Sequence, residues 1–298
     1  MELKQFIAGG FAAALLAGTA TAQQNWDKVE IKAEALRGNI HVLYGSGGNI
    51  GVSVGEDGIF IIDDQYAPLS DKIKAALATL SDKPLQFVVN THFHGDHTGG
   101  NENMGAVGAV IMAHDNVRTR LAKGAYLKAF DYKMEPASPA ALPVVTFSDK
   151  LSLHMNGEEA RVIHVKNAHT DGDSIIHFKA SNVIHMGDTF FNNRLPFMDV
   201  SNGGSIDGVI EAARVVLALA DDETMVIPGH GKVTDKAGVV SYLEILEESR
   251  SIVSALKTEG KSLEDIQAAN PLDDLNVRWR NSPPDWVAKY IGFVFNSL

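Results

Sequence analysis

The segment THFHGDHTGG constrains this chain more than any other, because His92, His94, Asp96 and His97 fall within six positions directly behind the apolar run LQFVVN. Read with period two, LQFVVN is a buried strand, and Pro84 marks its start. On a strand, His92 and His94 point one way and Phe93 the other, toward a core. Gly95 then lets the chain turn and swing Asp96 and His97 round to join them. One loop thereby offers four metal-ligating groups at the end of a strand.

Zinc accepts imidazole nitrogen and carboxylate oxygen, with about three protein ligands per catalytic ion and a position left for water. Two such ions need more ligands than this loop carries. Three candidates share the position of His92, just past the C-terminal end of an apolar strand: His169 in NAHTDGDS, Asp188 in HMGDTFF and His230 in IPGHG. A lone polar residue in such a turn is more often a cap or a turn former. Four such turns, one of them rich in histidine, point instead to a common site. The chain has no cysteine, so neither a thiolate ligand nor a disulfide enters the argument.

The segments VEIKAEAL, NIHVLYG, NIGVSVG and GIFIIDD alternate as four strands of a meander, and residues 68–80 have helical spacing. VIMAH reads as a strand and residues 115–123 as a helix, and residues 124–143 read as an irregular loop covering something. Strands follow at KLSLHM, EARVIHV, DSIIHF, NVIHMGD and TMVIPGHG, with helices over 205–220, 236–257 and 284–295. Strands then helices, twice over, predict an α/β chain with two sheets face to face and helices outside. The net charge is -11, and no basic cluster interleaved with aromatics occurs, which excludes nucleic acid as a partner. At the start, Lys4, an apolar run from Phe6 to Ala17 and then Ala20-Thr21-Ala22 predict a signal peptide over 1–22. That run is shorter than the roughly 20 residues of a membrane span. Residues 23–298 are then expected to form one exported domain, secreted or periplasmic and free of the membrane after cleavage.

Through THFHGDH, AHTDGD, GDT and PGHG, in that order, the chain resembles the metallo-β-lactamase superfamily. The resemblance implies a four-layer αββα sandwich with two zinc ions in a groove at one sheet edge. His92, His94 and His169 would hold one ion, Asp96, His97 and His230 the other, with Asp188 on both. A hydroxide between the ions would attack the carbonyl carbon of a small-molecule substrate, and Asp96 would manage the leaving group's proton. Best-known β-lactamases of the family have Cys where Asp188 stands and a Lys soon after it; here only Arg194 is near. An Asp at that position is the habit of glyoxalase II thioesterases and lactonases. Asn202 falls where β-lactamases place an Asn that polarises the lactam carbonyl. Arg194, Phe190 and Phe191, with Phe197, are expected to bind substrate; the remaining histidines read as packing or surface residues, His164 and His185 being the two best placed to line the groove or support the ligands. The expectation is a di-zinc hydrolase opening a cyclic amide or ester, β-lactams first and a lactone or thioester as the alternative. A mono-iron persulfide dioxygenase or a non-catalytic metal-binding module stands further off.

Overall fold

The computed structural model describes residues 25–298; the expected signal peptide, residues 1–22, lies outside them. Seven strands form the first sheet, in the order Lys32–Ala35, Ile40–Tyr44, Ile50–Gly55, Gly58–Ile62, Leu85–Asn90, Val110–His114 and Val145–Phe147. The first four are the expected antiparallel meander, and the last four run parallel. The second sheet has the order Lys150–Met155, Glu158–His164, Ser174–Phe178, Val183–His185, Met225–Ile227 and Thr234–Asp235.

The strand Gly58–Ile62 explains why the two sheets stack. Its Phe60 and Ile62 belong to the cluster between the sheets, and its Ile59 and Ile61 to the cluster on the outer face. A strand covered on both faces is apolar throughout. Phe60 stacks on Phe178 of the opposite sheet with ring centroids 5.9 Å apart, among Val42, Val89, Val162 and Ile176. Burying each such side chain contributes roughly 1.5–3 kcal/mol. Helix Ser70–Leu80 covers the outer face of the first sheet through Ile73 and Leu77. Helices Ile206–Leu219, Lys236–Thr258 and Pro284–Ser297 cover that of the second, burying Val209, Tyr242 and Ile291. The result is the four-layer αββα sandwich. Among the described residues no helix is long and apolar enough to cross a membrane.

Chain direction gathers the ligand loops. Glu158–His164 and Val183–His185 both run antiparallel to Ser174–Phe178, so they point the same way, and Met225–Ile227 runs parallel to Val183–His185. His169, Asp188 and His230 follow the ends of these three strands, as the His-rich loop follows Leu85–Asn90. Loops leaving the C-terminal ends of like-directed strands collect at one edge. Hydrogen bonds tie the sheets together there: Asn49 N–H donates to Gly229 O at 2.8 Å, Asn49 Nδ2 donates to Pro228 O at 2.9 Å, and Ser174 N donates to Thr91 O at 2.9 Å.

The stretch expected to be an irregular loop, 124–143, contains a small hairpin, Ala125–Leu127 paired with Tyr132–Met134. Strands of three residues carry too little alternation to be read. Helices Leu263–Ala269 and Asp273–Arg278 were likewise not expected, since seven and six residues span at most two turns.

Candidate metal centre

Four imidazoles meet at this edge, each with one nitrogen turned outward and occupied. Asp63 accepts from Thr91 N at 2.7 Å, from Thr91 Oγ1 at 2.8 Å and from His97 Nδ1 at 2.7 Å. Thr91 Oγ1 spends its hydrogen on Asp63, so it accepts from His92 Nδ1, 3.0 Å away. Asp199 Oδ2 takes the N–H of His94 Nε2 at 3.1 Å, and Phe197 O that of His169 Nδ1 at 2.8 Å. These partners fix which ring nitrogen carries the outward hydrogen and leave His92 Nε2, His94 Nδ1 and His169 Nε2 as bare lone pairs, as is His97 Nε2 whenever that ring is neutral.

The bare nitrogens converge. His92 Nε2 lies 3.1 Å from His94 Nδ1, and His169 Nε2 lies 2.9 Å from that same atom. His97 Nε2 stands 3.1 Å from Asp188 Oδ1, and neither atom has a hydrogen-bond partner. Buried lone pairs this close repel unless something positive lies between them. A cation resolves the conflict, and nitrogen and carboxylate donors are the set that zinc and iron accept. Asp188 spans the cluster: its Oδ2 is 3.5 Å from His169 Nε2 and 3.3 Å from His230 Nε2, while Asp96 Oδ2 is 3.3 Å from His230 Nε2. The residues form overlapping groups able to hold metal ions, His92 with His94 and His169, and Asp96 with His97 and His230, Asp188 joining His92 and His97.

The electrostatics agree with that division. Burial pushes His169 down to about 4 and His92 well below its ordinary value, so both stay neutral and free to ligate. Burial opposes protonation of His230 and His97 too, but Asp188 and Asp96 outweigh it, holding His230 up at about 9 and, with Asp63 adding to the effect, His97 well above its ordinary value. Asp188 is held low: burial would raise its carboxyl, and His230 and His97 more than offset that.

The cradle tolerates little change. A Cβ on Gly48 would sit 2.0 Å from His97 Cε1, and one on Gly229 would sit 2.1 Å from Asp188 Oδ1. Asp63 and Gln65 have φ of 65° and 56°, left-handed values that cost a non-glycine residue about 1 kcal/mol or more. That backbone turns the Asp63 carboxylate back toward Thr91 and His97.

Above Asp96, Asp188 and His230 opens a cavity of about 530 Å³, walled by Tyr66, Phe130, Tyr132, Phe197 and Trp286. Burial keeps the Tyr66 phenol protonated, with Asp96 adding to the effect. Arg194 enters this cavity with its guanidinium 4.3 Å from the Trp286 ring centre and 5.5 Å from that of Phe191. Its Nε is buried and without a hydrogen-bond partner. Phe191 also stacks on His230 at 5.0 Å, and Phe197 on His94 at 5.7 Å.

Two expected substrate residues stand elsewhere. Phe190 is fully buried against Tyr242 and Trp279, at 4.7 and 6.3 Å, because adjacent residues of an extended segment face opposite ways and Phe191 takes the cavity side. Asn202 does not offer its amide to the cavity: Nδ2 donates to Asp199 Oδ2 at 2.7 Å and to Tyr126 O at 3.1 Å, and Oδ1 accepts from Arg120. Phe93 lies in the core with Ala113 and Val117. His185 holds the turn before Asp188, accepting from Gly187 N, and His164 stacks on His114 at 3.7 Å. Asp63, Asp199, Tyr66 and Trp286 were not anticipated. Asp63 obeys the same strand-end rule as the ligands, following GIFII; the others have no signal of that kind.

Residues 43–230 match the family model described as the metallo-beta-lactamase superfamily. A hydroxyacylglutathione hydrolase from Polaromonas sp. strain JS666 is 26% identical over 238 residues, 73% of this chain and 80% of that protein. Among solved structures, DIM-1 metallo-beta-lactamase superposes with a TM-score of 0.60 at 20% identity, covering 74% of this chain and 100% of that one. A metallo-beta-lactamase from Pontibacter korlensis gives 0.60 at 15% identity, with 73% and 99% covered. At these identities the structural likeness concerns the fold.

Proposed function

The chain belongs to the metallo-β-lactamase superfamily, and we propose that it is an exported two-zinc hydrolase of small esters or thioesters that carry an acidic group beside an apolar one. The hydrolase reading is carried by one observation, the convergence of bare imidazole nitrogens and carboxylates at His92, His94, His169, Asp96, His97, His230 and Asp188. In this reading His92, His94 and His169 hold one ion, Asp96, His97 and His230 the other, and Asp188 reaches both. Bound there, zinc supplies Lewis acidity and a water that ionises near neutral pH. Export is supported by the sequence of residues 1–22.

The chain's own groups supply the rest. Asp63, Thr91, Asp199 and the Phe197 carbonyl keep each imidazole N–H turned outward, so the ligands are preorganised. Asp96, ionised and with 22% of its side chain exposed, takes the proton that hydrolysis releases and returns it to the leaving group. Tyr66 offers a neutral O–H to the oxygen on which charge develops. Arg194 receives the acidic group of the substrate, and the aromatic walls receive its apolar part.

Two features favour an ester or thioester over a β-lactam. Asn202 is committed to Asp199, Tyr126 and Arg120, so no amide remains for a lactam carbonyl. The relative at 26% identity is by its name a hydrolase of an acylated glutathione. β-Lactam opening is the second reading, because a β-lactam also presents a carboxylate to Arg194. The test is a metal analysis of chain beginning at Gln23, with rates on a thioester, a lactone and a chromogenic β-lactam. We expect two zinc ions per chain and a kcat/KM at least about tenfold higher for the thioester or lactone. Preference for the β-lactam selects the second reading, and zinc-loaded protein inert on all three overturns both.

A further inference from the structure

A chain of hydrogen bonds leaves His94 and ends on the hairpin that walls the cavity. Asp199 accepts from His94 Nε2 at 3.1 Å, from Asn202 Nδ2 at 2.7 Å and from Ser201 Oγ at 2.6 Å. The residues that hold Asp199 also hold the hairpin. Asn202 Nδ2 donates to Tyr126 O at 3.1 Å, and Lys128 N donates to Ser201 Oγ at 3.3 Å. Ser201 Oγ lies 3.2 Å from Tyr126 O as well, and its single hydrogen favours the shorter contact to Asp199.

The orientation of the Asn202 amide is dictated from behind. Arg120 Nη1 donates to Asn202 Oδ1 at 2.5 Å, and a guanidinium has no acceptor, so the oxygen must face Arg120 and the NH2 must face Asp199 and Tyr126. Arg120 is itself fixed by a two-point pair with Asp171, through Nη2 at 2.7 Å and Nε at 3.1 Å. Asp171 N–H donates to Asn202 O at 3.1 Å, which closes the ring two residues past His169. One amide group, with no freedom to flip, therefore has one hydrogen for the carboxylate that sets His94 and one for the backbone of the hairpin.

We propose that Asn202 is a positioning residue that couples the seating of the hairpin, residues 125–134, to the orientation of His94. The hairpin places Leu127, Phe130, Tyr132 and Met134 on the cavity wall. Contact of a substrate with that wall is then transmitted to a metal ligand, and occupancy of the metal site is transmitted to the wall, since coupling between two sites is reciprocal. The inference rests on the metal reading of His94 made above.

The test is hydrogen–deuterium exchange of the hairpin amides in the full mature chain, with and without zinc, with bound zinc measured in the same samples. Asn202→Asp keeps the size of the side chain and the acceptor for Arg120 but removes both donated hydrogens. We expect zinc to slow hairpin exchange about fivefold or more in the native chain, and to leave it unchanged in the Asn202→Asp protein although zinc still binds. Ser201→Ala, which removes only the second link, keeps part of the effect and serves if Asn202→Asp does not fold. Equal slowing in native and variant protein, or no slowing in native protein that has bound zinc, overturns the coupling alone. Native protein that binds no zinc overturns the metal reading and the coupling with it.

Discussion

Asp63 is the residue whose replacement by Asn separates positioning from ligation. Its Oδ1 accepts from Thr91 N, and its Oδ2 accepts from both Thr91 Oγ1 and His97 Nδ1. In Asp63→Asn the side-chain oxygen keeps Thr91 N, and an NH2 stands where Oδ2 stood. Asn tolerates the left-handed φ of 65° as Asp does, so the backbone has no reason to move. His97 now meets a donor at Nδ1 and must either lose that hydrogen bond or exchange tautomers and turn an N–H toward Asp188. An unpaired buried donor costs about 1–3 kcal/mol, and loss of such an outer partner typically weakens metal affinity roughly 10- to 100-fold. We therefore expect zinc affinity at the Asp96, His97 and His230 group to fall by that factor, and that of His92, His94 and His169 to fall less, through the Thr91 hydroxyl whose hydrogen loses its acceptor. Competition titration against a chromophoric chelator reads the two affinities, and 15N NMR of the imidazoles reads the tautomer. Unchanged affinity together with a shifted His97 tautomer, or neither changed, refutes the reasoning.

Arg194→Met keeps an apolar stem between Phe191 and Trp286 and removes the charge. Loss of a charge-assisted hydrogen bond of about 1.5–3 kcal/mol lowers kcat/KM roughly 10- to 150-fold for a carboxylate-bearing substrate, and barely for its neutral ester. Equal losses on both would remove Arg194 from substrate binding. Metal uptake has a pH dependence whose sign follows from His230. Held up at about 9, it carries a proton at neutral pH that an incoming cation displaces. Apparent affinity then falls about tenfold per pH unit on acidification for each proton displaced, and levels off above that value. Calorimetry in buffers of different ionisation enthalpy measures the release; uptake that frees no proton between about pH 6 and 8 contradicts it.

The strand-end rule explains what could be read in advance. LQFVVN, VIMAH and KLSLHM are long enough to show their period, and their observed bounds match the reading. Turns behind like-directed strands brought His92, His169, Asp188 and His230 together, and applied once more the rule reaches Asp63 behind GIFII. Period two also separates Phe190 from Phe191 when applied to the two side by side. Trp286 enters the cavity from the last helix, and nothing local in Pro284–Ser297 says which loop it will meet. Asn202 is a capping type of residue near a helix start, and its role depends on Arg120, 82 positions away.

The missing space beside Gly48 and Gly229 divides the surroundings of the site by how freely they can vary. Any side chain at either glycine collides with His97 or Asp188, so the two loops that carry them are closed to drift. The hairpin opposite has Tyr126, Phe130 and Tyr132 at 49%, 42% and 56% exposure, where exchanging a residue disturbs little packing. Selection for a new substrate therefore has a natural target in the exposed cavity residues Phe130 and Tyr132, whereas Leu127 is buried with Phe93 in the core. A library confined to those two positions leaves the hairpin's backbone bonds to Ser201 and Asn202, and with them the metal cradle, in place while the wall in front of it is rewritten.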